Sequence, residues 1–378
     1  MKTGTLLFVQ WESQISGSPE SARILIESLI QNDWNVHVVV GHEGPYIEIY
    51  QKLGCDVSII PQKHWLSSNT FSAFLRKFPG RIKSYRLFDS LIKKIKPNLV
   101  YINTIVGPEA AFAAKRNNTP VIWHIRDMYT DVGGDMKALP ILGKQGTKKL
   151  ITLLANKIIT VSKAVATNLF GNDSGIATVV HNGVGEHFYI NKLKAPEAEL
   201  IIGIPGTLRP IKGHQFFLES IAKIAEQLSP LKIRISGEGS KCYADQLHHL
   251  AQVPALKNKV DFLGTVTDMP AFLENCDIVV VPSSCDPLPR TVMESMAAGC
   301  PLIATRVGGI PEMIDDKKNG YLVDYGDHNM LANCILQLAG DTDLRKQLGL
   351  AAAIKARKNF TIAKYQETLL DLIESTAK

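Results

Sequence analysis

The stretch 279–326 admits few folds. The β-branched run Ile278–Val281 has the composition of a parallel strand buried on both faces. A proline-bearing loop, 282–289, follows it. Residues 290–298 then place Met293, Met296 and Ala297 at helical spacing, and Gly299 stands where helices commonly stop. Leu302–Thr305 repeats the buried-strand pattern, and Gly308 and Gly309 turn the chain again. Strand, loop, helix and strand in this order build a doubly wound sheet. Such sheets bind ligands beyond the carboxyl ends of their strands.

Two carboxylates mark that loop and helix: Asp286, and Glu294 eight positions on. Pro289 suits a helix entry, where its missing N–H costs nothing. The helix N-terminus favours an anion, but the carboxylates would repel one and therefore face hydroxyl groups. A ligand carrying both phosphate and hydroxyls, such as a nucleotide sugar, meets both demands. Pro287 and Pro289 lack amide hydrogens, which leaves the amides of Leu288, Arg290 and Thr291 as donors.

Several features of the stretch now act together: the acid-x7-acid spacing, Ala297-x-Gly299-x-Pro301, the Gly-Gly turn, and Asn319-Gly320-Tyr321-Leu322-Val323. Together they resemble the signature of the retaining GT-B glycosyltransferases of family 4, also called group 1. The resemblance implies an α/β GT-B architecture, with two Rossmann-like doubly wound domains facing across a cleft. It implies that Glu294 holds the nucleotide ribose and that Asp286 lies near the transferred sugar. The usual pattern has Glu at both positions, so Asp286 is one methylene shorter.

The chain has 378 residues, 45% of them hydrophobic, which is enough for two cores. The expected division is an acceptor-side domain over 1–190, a linker over 191–200, a nucleotide-sugar domain over 201–358, and a closing helix over 359–378 that crosses back to the first domain. No apolar run reaches the roughly 20 residues of a membrane span. The start, MKTGTLLFVQWE, reads as a first strand rather than a signal peptide. The six cysteines show no metal or redox spacing, which points to buried thiols in a reducing cytoplasm.

A net charge of +6 is too mild to indicate nucleic acid. Residues 61–98, however, hold nine Lys or Arg against the single acid Asp89, with Phe71, Phe74, Leu75 and Phe78 interleaved. This composition suits a peripheral contact with anionic lipid on the inner membrane face, and equally a solvated helix face over a core stripe.

Along the first half, Gly17 and Ser18 lead into a helix, with Ser18 as N-cap and Pro19 in the first turn. That N-terminus is expected to help bind the donor. The strand 121–123 ends at His124-Ile125-Arg126-Asp127, and charged groups at a strand's carboxyl end are where α/β proteins place function. By resemblance His124 lies close to the transferred sugar. Arg126 and Asp127 either position the acceptor or pair with each other.

In the second half, Gly206-Thr207-Leu208-Arg209-Pro210-Ile211-Lys212-Gly213 carries two cations suited to a diphosphate. Lys212-Gly213 match the family pattern, whereas Thr207 stands at its Arg position and Arg209 lies two residues later. Gly237 opens a Gly-x-Gly pattern that by itself says little and that, by resemblance, is a turn facing the nucleotide. Asp341-Thr342-Asp343 reads as a helix cap rather than a metal site, and no metal or cofactor is assigned.

The resulting reading is a metal-independent retaining glycosyltransferase that uses a UDP- or GDP-sugar and a glycan or lipid-linked acceptor in bacterial surface polysaccharide synthesis. His124, Lys212, Arg209 and Asp286 would be catalytic. The rival readings are a nucleotide-sugar 2-epimerase on the same fold and a non-catalytic GT-B partner protein. Thr207, Asp286 and Gly185, which stands where the family commonly has Asp, favour the latter.

Overall fold

The computed structural model describes residues 3–14, 17–62, 71–105, 107–129, 143–190, 199–228 and 230–377, with the side chains of 71–77 excepted. Most of the expected linker, 191–198, and residues 63–70 of the basic segment lie outside them. The chain forms two compact units. The first is Met1–Asn182 with Ala363–Lys378, and the second is Gly183–Ile362. The division therefore falls at 182/183 rather than at 190, and the closing helix Ile362–Ala377 belongs almost wholly to the first unit.

Among the described residues the first unit has a seven-stranded parallel sheet. Its strands are β1 (Gly4–Gln10), β2 (Trp34–Val40), β3 (Asp56–Ile59), β4 (Leu99–Ile102), β5 (Val121–Ile125), β6 (Lys157–Thr160) and β7 (Ala177–Val179), in the order 3-2-1-4-5-6-7. The central strands are apolar because helices cover both faces: β4 and β5 are buried along their whole lengths. Trp123, Tyr101 and Phe8 are fully buried, and the Trp123 indole donates to the Thr104 carbonyl at 2.8 Å. In the closing helix, Tyr365, Leu369 and Ile373 form the buried stripe.

The second unit repeats the plan. Its strands are β8 (Leu200–Pro205), β9 (Leu231–Ser236), β10 (Val260–Phe262), β11 (Ile278–Val281), β12 (Leu302–Thr305) and β13 (Tyr321–Val323), in the order 10-9-8-11-12-13. Ile202, Ile204, Ile233, Ile235, Val280 and Ile303 join Phe217, Leu331 and Ile335 in its core. In each sheet the order reverses between the first and fourth strands, β1/β4 and β8/β11. In doubly wound sheets ligands bind beyond the carboxyl ends of the strands, at such a switch point.

At the second switch point three loops touch through their backbones. Gly213 has φ +74°, and a Cβ there would come within 1.8 Å of the Pro282 carbonyl oxygen. Gly308 has φ +52°, and its Cβ would meet the Asp286 carbonyl oxygen at 1.7 Å. Only glycine satisfies both the left-handed backbone and the contact.

Gly308→Ala should therefore cost about 2–5 kcal/mol, from backbone strain and overpacking together. All four tryptophans, Trp11, Trp34, Trp65 and Trp123, precede residue 183. The denaturant midpoint read by circular dichroism should fall while the tryptophan-fluorescence transition stays in place. Equal midpoints for variant and parent by both probes would show that the loop yields without cost.

Candidate active site

The second-unit site is built on the loops after β8, β11 and β12. The Ser284 amide and hydroxyl both bond the Ile211 carbonyl, at 2.8 and 3.2 Å. This joins the β11 loop to the β8 loop. The Gly309 amide donates to the Asp286 carbonyl at 3.1 Å, and the Thr305 hydroxyl donates to the Ser283 carbonyl. On that frame Lys212 Nζ reaches Asp286 Oδ2 at 2.6 Å. The Asp286 side chain is 7% exposed and that of Lys212 27%. A carboxylate this enclosed requires a partner, and the lysine supplies it.

The helix Arg290–Ala297 starts directly after Pro289, and Val292, Met293, Met296 and Ala297 face the core. That fixes Glu294 one turn in, largely enclosed, with Arg290 Nε at 3.4 Å from its Oε1. Leu288 and Pro289 are buried, and Thr291 is half-buried at the first turn. Gly237, with φ +118°, packs against the Gly206 carbonyl, and its amide donates to Gly264. Arg209 lies exposed on the same loop as Lys212. Asp341 caps the helix Thr342–Asn359 by accepting from the Leu344 amide at 2.8 Å, so Asp341-x-Asp343 is a helix start.

His214, directly after Lys212-Gly213, was not singled out by sequence, although its adjacency to the Lys-Gly pair marks it. It is 1% exposed. Burial, and then the charge of Lys212, push its pKa down to about 4. Cys285, beside Asp286, is half-buried and Cys242 is exposed, so two of the six thiols depart from the buried expectation.

In the first unit His124 is the penultimate residue of β5, fully buried. Its Nδ1 lies 2.6 Å from the Tyr101 hydroxyl, and its Nε2 has no hydrogen-bond partner among the described residues. Burial, and then the Arg126 charge, hold the imidazole neutral by lowering its pKa well below the usual value. Arg126 differs from an acceptor-facing cation. Its guanidinium is buried, and its three nitrogens donate to Asn103, Asn182 and Tyr365. Asp127 is half-buried beside it. The helix Gly17–Gln31 begins at Gly17, so Ser18 lies inside the first turn rather than capping it. Its hydroxyl accepts from Gln10 at 3.2 Å.

Two Rossmann-like units with these sheet orders define a GT-B fold. HepE of Anabaena, solved with UDP-glucose, superposes with a TM-score of 0.81 at 20% identity, over 98% of this chain and 100% of that one. A Rickettsia africae glycosyltransferase gives a TM-score of 0.82 at 20% identity, covering 99% of this chain and 98% of that one. Residues 15–187 match the Glycosyltransferase Family 4 model and residues 186–355 match the model for glycosyl transferases group 1. The chain belongs to this family 4, group 1 set of glycosyltransferases. An uncharacterized glycosyltransferase of Methanocaldococcus jannaschii is 29% identical over 286 residues, 73% of this chain and 76% of that protein. A lipopolysaccharide core biosynthesis glycosyltransferase of Rhizobium meliloti is 32% identical over 157 residues, 42% of this chain and 44% of that protein.

His214 gives a pH prediction. Its folded pKa, about 4, lies below the usual 6.5. The unfolded chain therefore binds the proton more tightly. The stability this group contributes is full above pH 6.5 and falls as pH drops toward 4, by about 3 kcal/mol in all. His214→Gln should flatten the stability–pH curve of the second unit in that window. An unchanged slope would place the acid sensitivity elsewhere.

Proposed function

We propose that the chain transfers a hexosyl unit with retention, from a nucleotide-sugar donor held by the second unit to a glycan or lipid-linked acceptor. The product would belong to a bacterial surface polysaccharide. The observation that carries the reading is the Lys212–Asp286 pair, 2.6 Å apart beyond the carboxyl end of β11, with Glu294 on the adjoining helix. A UDP-hexose is the first donor to test, because HepE was solved with UDP-glucose; a GDP-sugar is the second.

In this reading Glu294 accepts from the ribose hydroxyls. The donor's diphosphate draws Lys212 from Asp286, and Asp286 turns to the sugar hydroxyls. Neutral His124 offers the transferred sugar a hydrogen bond rather than a charge. Charge on the departing diphosphate is met by Lys212, by Arg209 and by amides at Leu288, Arg290 and Thr291, with Gly237 and the Gly17-Ser18 turn lining the donor. No protein nucleophile is assigned: the leaving phosphate takes the acceptor's proton on the face it departs from, so catalysis is orientation and electrostatic stabilisation.

Peripheral membrane contact belongs to the same proposal. Among the described residues no helix is long and apolar enough to cross a membrane. The helix Phe71–Ile95 exposes Phe78, Ile82 and Leu87 beside exposed Lys83, Arg86, Lys93 and Lys94. Arg81 is no part of that face, since it is buried, 3.9 Å from Glu109. The side chains of Phe71, Phe74, Leu75, Arg76 and Lys77 lie outside the described residues.

Glu294→Gln should weaken donor binding by about 1.5–3 kcal/mol, as for lost hydrogen bonds to a charged group. Unchanged affinity by calorimetry, in a variant that melts like the parent, would remove Glu294 from the site. Lys212→Ala should lower kcat by about 100-fold or more, and by more than it raises the donor KM. A normal kcat with only a raised KM would sink the transition-state role. Lys83, Arg86 and Lys94 changed together to Gln should release the protein from anionic vesicles, where each cation near the surface is worth about 1 kcal/mol. Failure of the parent to co-sediment at low salt would reduce this face to a solvated helix.

A further inference from the structure

Arg126 gathers hydrogen bonds from parts of the first unit far apart in sequence. Its Nε donates to Asn103 Oδ1 at 2.7 Å, its Nη1 to Asn182 Oδ1 at 2.7 Å, and its Nη2 to the Tyr365 hydroxyl at 2.8 Å. Two of these three partners sit beside the places where the chain passes between units. Asn182 is the last residue before the first passage, and Tyr365 follows the second, at 362/363, by three residues. The Tyr365 hydroxyl donates onward to the Ser21 carbonyl at 3.2 Å.

The third partner starts a directed chain. A guanidinium only donates, so Asn103 must turn its oxygen to Arg126 and its nitrogen away. That nitrogen donates to Gln10 Oε1 at 2.6 Å, and Gln10 Nε2 donates to the Ser18 hydroxyl at 3.2 Å. Gln10, Asn103, Arg126, Asn182 and Tyr365 are all at least nine-tenths buried. Both branches thus end on the first turn of the helix Gly17–Gln31, at Ser18 and at Ser21.

On the second unit's side the same two segments are joined to each other. The Val184 amide donates to the Phe360 carbonyl at 2.8 Å, and Val184 bridges Thr361 in parallel. The two passages are therefore laced together within the second unit and held by one guanidinium within the first.

We propose that Arg126 is a positioning residue: it fixes the directions in which both passages leave the first unit and ties them to the first turn of the helix Gly17–Gln31. It makes no contact with the reacting atoms. Its effect on transfer rests on the proposed function, but the clamp itself can be read without turnover. Loss of the Asn182 or the Tyr365 arm frees a passage while the apolar core is unchanged.

Distance distributions between two labels test this in the ligand-free protein. One label sits on the exposed Cys242 of the second unit, the other on a cysteine replacing the exposed Ser90 of the first, in a Cys285→Ser background. Tyr365→Phe deletes one hydroxyl and keeps the ring; Arg126→Lys keeps the charge and loses the fork. Both should broaden the distribution at least two-fold while tryptophan fluorescence still reports a folded first unit. Thr160→Val, which removes a buried hydroxyl that has no hydrogen-bond partner among the described residues, should leave the distribution as in the parent. Superimposable distributions for the parent and both clamp variants would overturn the proposal, and so would equal broadening by Thr160→Val. UDP affinity, measured separately by calorimetry, should stay within two-fold in the clamp variants. Absence of UDP binding in the parent would count against the UDP-donor reading alone.

Discussion

Asp286 is held at both ends, and the second unit's site is arranged around that restraint. Its carbonyl accepts from the Gly309 amide while Gly308 passes closer than any side chain would allow. Its carboxylate is held by Lys212. One residue thus binds together the loops of three adjacent strands, β8, β11 and β12. The Lys212 ammonium is set by backbone geometry rather than by its own flexible stem.

Much of this was legible along the chain. Buried parallel strands are continuous apolar runs, so β11 and β12 stood out, and the helix between them showed its stripe of Met293, Met296 and Ala297. The carboxylates Asp286 and Glu294 belong to the same short segment, where spacing carries information. Lys212 and Asp286 are 74 residues apart, and Arg126 and Tyr365 are 239 apart. No periodicity encodes such pairings, because tertiary packing alone creates them. That is why Arg126 read as an acceptor-side group or a partner of Asp127, and Ser18 as a cap. The same limit applies to Arg81, whose sequence neighbours look solvated and whose partner, Glu109, sits on another helix.

His124 and Arg126 show how two residues at one strand end diverge. The imidazole belongs to the strand and is enclosed beside Tyr101. The guanidinium lies past the strand end, where amides and a phenol can surround it. Arg126 lowers the His124 pKa in turn. A structural cation thereby reinforces what burial already does to its neighbour.

The Lys212–Asp286 pair has a consequence for which small molecules the site tolerates. In the proposed reaction a diphosphate that takes Lys212 strips a carboxylate of its counter-ion at a place that is 7% exposed. Hydroxyls of the transferred sugar can satisfy that carboxylate; a bare nucleoside diphosphate has only its ribose hydroxyls, which Glu294 takes in the same reading. Spent nucleotide would then compete with Asp286 for the lysine, while intact donor would satisfy both. The ion pair would act as a built-in ejector, favouring departure of the nucleotide once its sugar has gone and limiting product inhibition.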